Sequence, residues 1–155
     1  MRLSTIIASV FGIGYFPVAS GTVMSAVAIP FAIMIAHTGG GWAVVVASLL
    51  AFVIGVWACG DHVRVTGRDD PSECVIDELA GQWLAFAGIS FNFGPARFQE
   101  VALAFLLFRL FDILKPWPIS AAEKLPGGWG VMSDDMLAGL AAAIIGAGLQ
   151  YFRVV

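Results

Sequence analysis

The chain has 155 residues, a formal net charge of −3, 59% hydrophobic and 12% charged residues, and a mean hydropathy of +0.90. The length suits one domain, and the composition excludes an ordinary soluble one, which is about 45–50% apolar and about 25% charged. The acidic balance excludes nucleic acid and a polybasic surface anchor. The expectation is an all-α, polytopic helical membrane protein, a single domain over residues 1–155. It should have about four to five hydrophobic helices plus a short N-terminal apolar segment.

Residues 3–16 are apolar but too short and too glycine-rich, with Gly12 and Gly14, to span as a straight helix. No small-x-small cleavage site precedes a polar segment, so no signal peptide is read. In PVASGTVMSA, residues 17–26, Ser20, Gly21 and Thr22 suit a turn that runs into a helix N-cap. A hydrophobic helix is expected over 23–36, a tight glycine turn over 37–41, and a second helix over 42–58, near the lower limit for a span. Residues 61–73 form the longest polar segment, in which His62 reads as a solvated loop residue. Cys59 and Cys74 lack CxxC spacing and read as ordinary helix-end residues. A third apolar run, 75–91, carries Asp77 and Glu78 in its first turn, and a short turn is expected over 92–97.

The fourth run, 98–114, ends in FRLFDILKPWPI, residues 108–119. Arg109 and Asp112 are three apart and share a helical face. Lys115 follows, and Pro116 and Pro118 stop the helix. Taken alone, this stretch fits either a salt bridge with a snorkelling lysine or a functional charge cluster. Residues 120–135 read as a loop ending in Asp134 and Asp135, and 136–152 as the fifth run. The pattern D-x-L-A-G occurs at 77–81 and again at 135–139. Small residues would let two such helices approach closely and bring their carboxylates together.

Alternate threading of the runs puts Arg2, Arg64, Arg68, Lys115 and Lys124 on one face, against Arg97 and Arg153 on the other. The Lys/Arg bias assigns the first face to the cytoplasm. The same face gathers Asp77, Glu78, Arg109, Asp112, Lys115, Asp134, Asp135 and the helix start at Gly21 and Thr22. Carboxylates so grouped (Asp77, Glu78, Asp112, Asp134, Asp135) suit a hard cation, Mg²⁺ or Mn²⁺. Arg109 can fork onto phosphate oxygens, Lys115 adds a point charge, and open amides at Gly21 and Thr22 favour an anion. Together these describe a phosphate site. No cysteine is followed by x5-Arg, and no D-x-D nucleophile or histidine pair is present on that face. Metal-assisted attack by water, with a carboxylate as base, remains. The alternative is a small proton- or cation-coupled transporter that uses the intramembrane acids as a relay; charges crowded on one face weigh against it.

With these residues in place, the chain resembles the phosphatidylglycerophosphatase A family over about residues 11–145. The resemblance rests on FGIGYFPVASGT, on Asp77-Glu78 with Gly81, on FRLFDILKPWPI and on GGWGVMSDDMLAG. Ser20 stands where the family typically has proline before Gly-Thr, and Met24 where it often has glycine. The resemblance implies a Mg²⁺-requiring enzyme of the bacterial inner membrane. Its phospholipid substrate would be phosphatidylglycerophosphate, which it would convert to phosphatidylglycerol.

Overall fold

The computed structural model describes residues 2–90 and 98–152. All the elements among them are helical: α1 (Leu3–Ala8), a 3₁₀ turn (Ile13–Tyr15), α2 (Ser20–Thr66), α3 (Ile76–Ser90), α4 (Phe98–Leu114), α5 (Ile119–Ala122) and α6 (Gly128–Tyr151). The turn expected over 92–97, with Arg97, and the C-terminal Arg153 lie outside the described residues.

Among the described residues two helices, fewer than the four to five expected, are long and apolar enough to cross a membrane: Ser20–Thr66 and Gly128–Tyr151. Among the described residues α3 has 15 residues and α4 has 17, both hydrophobic. The first of the long helices is not straight. At 1.5 Å per residue, 47 residues would extend about 70 Å. Yet Gly21 touches Glu78 and Gly55 touches Ile76, two neighbours at the start of α3. Ala32 and Val44 likewise meet at Phe86, farther along α3. α2 therefore folds back on itself at Gly40, the one residue inside it with non-helical angles (φ 69°, ψ −170°). Its two limbs correspond to the expected 23–36 and 42–58 helices, extended at both ends. A left-handed φ is where glycine alone is free of Cβ strain, so the glycine run supplies the hinge.

α3 is the central element, packed on both limbs of α2, on α4 and on α6. Ser48 donates to the Ala80 carbonyl at 2.7 Å, and the Trp83 indole donates to the Ala28 carbonyl at 2.9 Å. The two glycines of the repeated D-x-L-A-G pattern meet where α3 crosses α6. A Cβ on Gly139 would lie 3.0 Å from Gly81 Cα, and one on Gly81 would lie 2.6 Å from the Asp135 carbonyl oxygen. Small residues here set the closest approach of two backbones, as the pattern implied.

Two sequence expectations change. Residues 128–135 are helix, not loop, so Asp134 and Asp135 lie in the second turn of α6. Gly128 and Gly130 are needed for close packing instead of a turn: side chains there would run into Val56 and Gly60 of α2 and into Leu125 and Glu123. His62 is buried inside α2, which continues to Thr66. Its Nδ1 is 3.1 Å from Thr5 Oγ1 and its Nε2 is 3.1 Å from Glu73 Oε1. Partners from α1 and from the loop before α3 satisfy both ring nitrogens, which makes burial of the ring tolerable. Cys59 and Cys74 are free thiols buried in the same core cluster.

The loop between α2 and α3 is held from several sides. Val75 N–H donates to the Ala8 carbonyl at 2.9 Å, and Ser20 Oγ donates to the Ser72 carbonyl at 3.1 Å. Arg68 and His62 both contact the Glu73 carboxylate. Burial raises the Glu73 pKa, but its own backbone N–H, His62 and Arg68 outweigh that and hold it below 4.5. The sign follows: a lowered carboxyl pKa adds stability that is present above about pH 4.5 and is lost as pH falls through the folded value. Wild type should therefore lose more Tm than Glu73→Gln between pH 7 and about pH 3.5. Parallel Tm curves would remove Glu73 from the acid response.

Candidate active site

Three helix starts and one helix end converge on a single cavity. The N-terminus of α2, the first turn of α3, the C-terminus of α4 and the second turn of α6 line a space of about 1030 Å³. Every residue singled out in the sequence borders it: Gly21, Thr22, Asp77, Glu78, Arg109, Asp112, Lys115, Asp134 and Asp135. The alternation of helix directions puts them at one end of the bundle, while the Ala32, Val44, Phe86 and Ala87 cluster marks the other.

Within the cavity the acids divide into two sets. Asp77, Glu78 and Asp135 each offer a carboxylate oxygen within 4.8 Å of the others. Asp77 and Asp135 are brought together by the Gly81–Gly139 crossing. Glu78, one residue on, joins the group with its carboxylate against Gly21, and its backbone N–H donates to Asp77 Oδ1 at 3.0 Å. A Cβ at Gly21 would push the Glu78 carboxylate out of its place. The structure thus assigns Gly21 a steric role that the sequence reading, which used only its amide, did not contain. Glu78 Oε2 and Asp135 Oδ2 are buried without a hydrogen-bond partner among the described residues. Clustered carboxylates repel one another, and all-oxygen donors at this spacing fit a hard cation that would offset the repulsion.

The other two acids are paired with cations. Arg109 NH1 lies 2.5 Å from Asp112 Oδ2, with both side chains largely buried at 16% and 14% exposure. Asp112 also lines the same cavity as the three-carboxylate group. Arg109 Nε has no partner among the described residues. Lys115 Nζ donates to Asp134 Oδ2 at 2.8 Å and to Glu123 Oε1 at 2.7 Å. Burial lowers the Lys115 pKa, but the two carboxylates more than reverse this and hold it above 10.5. α4 ends because Lys115 adopts a left-handed backbone (φ 43°) ahead of Pro116. That conformation is uncommon for a side chain with a Cβ. The turn aims the ammonium back across the cavity at α6.

Thr22 lies in the first turn of α2, which starts at Ser20, earlier than expected; the N-cap is Ala19, and no side chain caps it. The remaining wall was not foreseen. Asp69, Asp70, Ser72, Glu73 and Cys74 of the loop between α2 and α3 line the cavity, as do Glu123 and Lys124 after α5. Gly14 packs directly on the Glu73 backbone, with a Cβ there falling 3.0 Å from Glu73 Cα. The glycine of FGIGYF was therefore the available signal that this segment closes on a wall of the cavity.

The family model for phosphatidylglycerophosphatase A matches residues 6–150. A phosphatidylglycerophosphatase A of Escherichia coli is 35% identical over 144 residues, 92% of this chain and 78% of the relative. A putative phosphatidylinositol-3-phosphatase of Bacteroides thetaiotaomicron is 34% identical over 147 residues, 92% of this chain and 91% of the relative. A phosphatidylglycerophosphatase A of Haemophilus influenzae is 33% identical over 145 residues, 93% of this chain and 86% of the relative. No solved structure matches. All these names are those of phosphatases, and the transport alternative finds no support among them. The matched span includes every residue of the cavity, from Gly14 to Asp135, and the chain belongs to the phosphatidylglycerophosphatase A family.

Proposed function

We propose that the protein hydrolyses the terminal phosphate of phosphatidylglycerophosphate, giving phosphatidylglycerol and inorganic phosphate, with Mg²⁺ held by Asp77, Glu78 and Asp135. The observation that supports this reading is the shared cavity: three adjacent carboxylates beside one arginine and one lysine. Asp77, Glu78 and Asp135 would hold a divalent cation, which would supply positive charge beside the phosphate oxygens. Arg109 is placed to give up part of its contact with Asp112 and fork onto two phosphate oxygens. Lys115, fixed between Asp134 and Glu123, stays protonated and adds a second positive charge. Asp134 has one oxygen on Lys115 and the other, Oδ1, without a partner among the described residues. We assign Oδ1 the proton of the attacking water. The water oxygen bonds to phosphorus, the bond from phosphorus to the glycerol oxygen breaks, and the departing oxygen takes up the proton that Asp134 received.

The two limbs of α2, with α3, α4 and α6, form a multi-pass bundle in the bacterial inner membrane in this reading. The cavity end faces the cytoplasm, where the cations Arg2, Arg64, Arg68 and Lys124 would be retained. The relative named as a phosphatidylinositol-3-phosphatase motivates a second substrate, a phosphoinositide. Both lipids present a phosphate monoester, so one measurement separates them. Purified protein in detergent should release phosphate from phosphatidylglycerophosphate much faster than from phosphatidylinositol 3-phosphate, and excess EDTA should stop it. The opposite preference would move the substrate to the phosphoinositide class, and full activity in EDTA would end the metal assignment.

A further inference from the structure

We infer that Gln82 is a positioning residue whose side-chain amide bridges Glu78 and Arg109 when the phosphate is bound. Gln82 is 0% exposed, and neither its Oε1 nor its Nε2 has a hydrogen-bond partner among the described residues. A buried amide without partners lowers stability, so its presence calls for a compensating role. Among the described residues, the other buried side-chain polar atoms without partners belong to Glu78, Arg109, Asp134 and Asp135, all on the cavity.

Helical geometry gives the direction. Gln82 follows Glu78 by four residues and shares its face, one turn deeper in the bundle. Its neighbour Gly81 packs against Phe108 of α4, and its neighbour Trp83 bonds to Ala28 in the first limb of α2. At 100° per residue, Gln82 falls between these directions, toward the groove of α4 and that limb. Arg109 adjoins Phe108 at the same depth. The unmatched atoms are complementary: Glu78 Oε2 lacks a donor, Arg109 Nε lacks an acceptor, and an amide offers one of each. When a phosphate draws the Arg109 terminal nitrogens from Asp112, the guanidinium turns, Nε–H donates to Gln82 Oε1, and Gln82 Nε2 donates to Glu78 Oε2. The amide then holds the cation and the carboxylate in fixed relation.

This rests on the phosphatase reading, and the experiment keeps the two apart. Tm is measured against Mg²⁺ concentration, without substrate, for wild type and Gln82→Met, and kcat and KM are measured on phosphatidylglycerophosphate. Methionine keeps the volume and removes the amide, so the metal-free Tm should hold or rise. The Mg²⁺ midpoint should rise and kcat should fall, each by about tenfold or more, as for partners that orient metal ligands. KM should change less than kcat. A lower metal-free Tm with unchanged midpoint and kcat would overturn the inference and leave Gln82 a packing residue. If Gln82→Met does not accumulate, Gln82→Asn, which keeps an amide but loses its reach, decides by the same readouts. Should wild type release no phosphate while the Mg²⁺ midpoint still shifts in Gln82→Met, the phosphatase reading fails and the link to Glu78 stands. If Mg²⁺ does not raise the wild-type Tm, that link falls.

Discussion

Asp135→Asn is expected to lower phosphate release by more than about 100-fold, beyond the range seen when only an outer partner of a metal ligand is lost. The same variant should be no less stable than wild type in EDTA. Asp135 is buried at 4% exposure, lies within 4.8 Å of the Asp77 and Glu78 oxygens, and shares the cavity with Asp112. Neutralising it removes a like charge from a crowded group, which favours the folded state. It also removes an anionic oxygen donor that a hard cation requires. Wild type should gain Tm on addition of Mg²⁺, and Asp135→Asn should gain little. Two paired measurements, phosphate release and Tm with and without Mg²⁺, test this directly. An active Asp135→Asn, or one as strongly stabilised by Mg²⁺ as wild type, would show that the three carboxylates do not hold the metal.

Two glycines of one helix should behave oppositely when changed to alanine. Gly139 of α6 packs on the backbone of Gly81, and a Cβ at Gly139 would fall 3.0 Å from both Cα and C of Gly81. Backbone atoms cannot rotate away, so Gly139→Ala must push α3 and α6 apart, at about 1–3 kcal/mol for overpacking. The shift also separates Asp77 from Asp135, so activity should fall with stability. Gly148, nine residues on in α6, has nothing within 4 Å of such a Cβ. Gly148→Ala should be neutral or stabilising by up to about 1 kcal/mol, the usual gain for alanine in a helix interior. Tm and phosphate release on the two variants give the comparison. Equal tolerance at both positions would mean that the crossing is not what brings the carboxylates together.

The sequence by itself was enough to determine the helical class, the hinge at the glycine run and the end of the bundle where the charges collect. Apolar runs and their length locate helices, and alternate threading then decides which ends meet. The repeated D-x-L-A-G pattern even named the crossing that pairs Asp77 with Asp135, because small residues at a fixed spacing after an acid carry that geometry locally. Other features depend on contacts between residues far apart in the chain. Lys115 could have been free; the left-handed turn before Pro116 aims it at Asp134 and Glu123. His62 reads as a polar loop residue until Thr5, 57 positions earlier, and Glu73 supply its partners. Asp134 and Asp135 read as equivalent neighbours. On a helix, adjacent residues point about 100° apart, so one faces Lys115 and the other joins the carboxylate group. Only the tertiary structure decided that division, since local sequence specifies which groups a helix carries but not which neighbour each one meets.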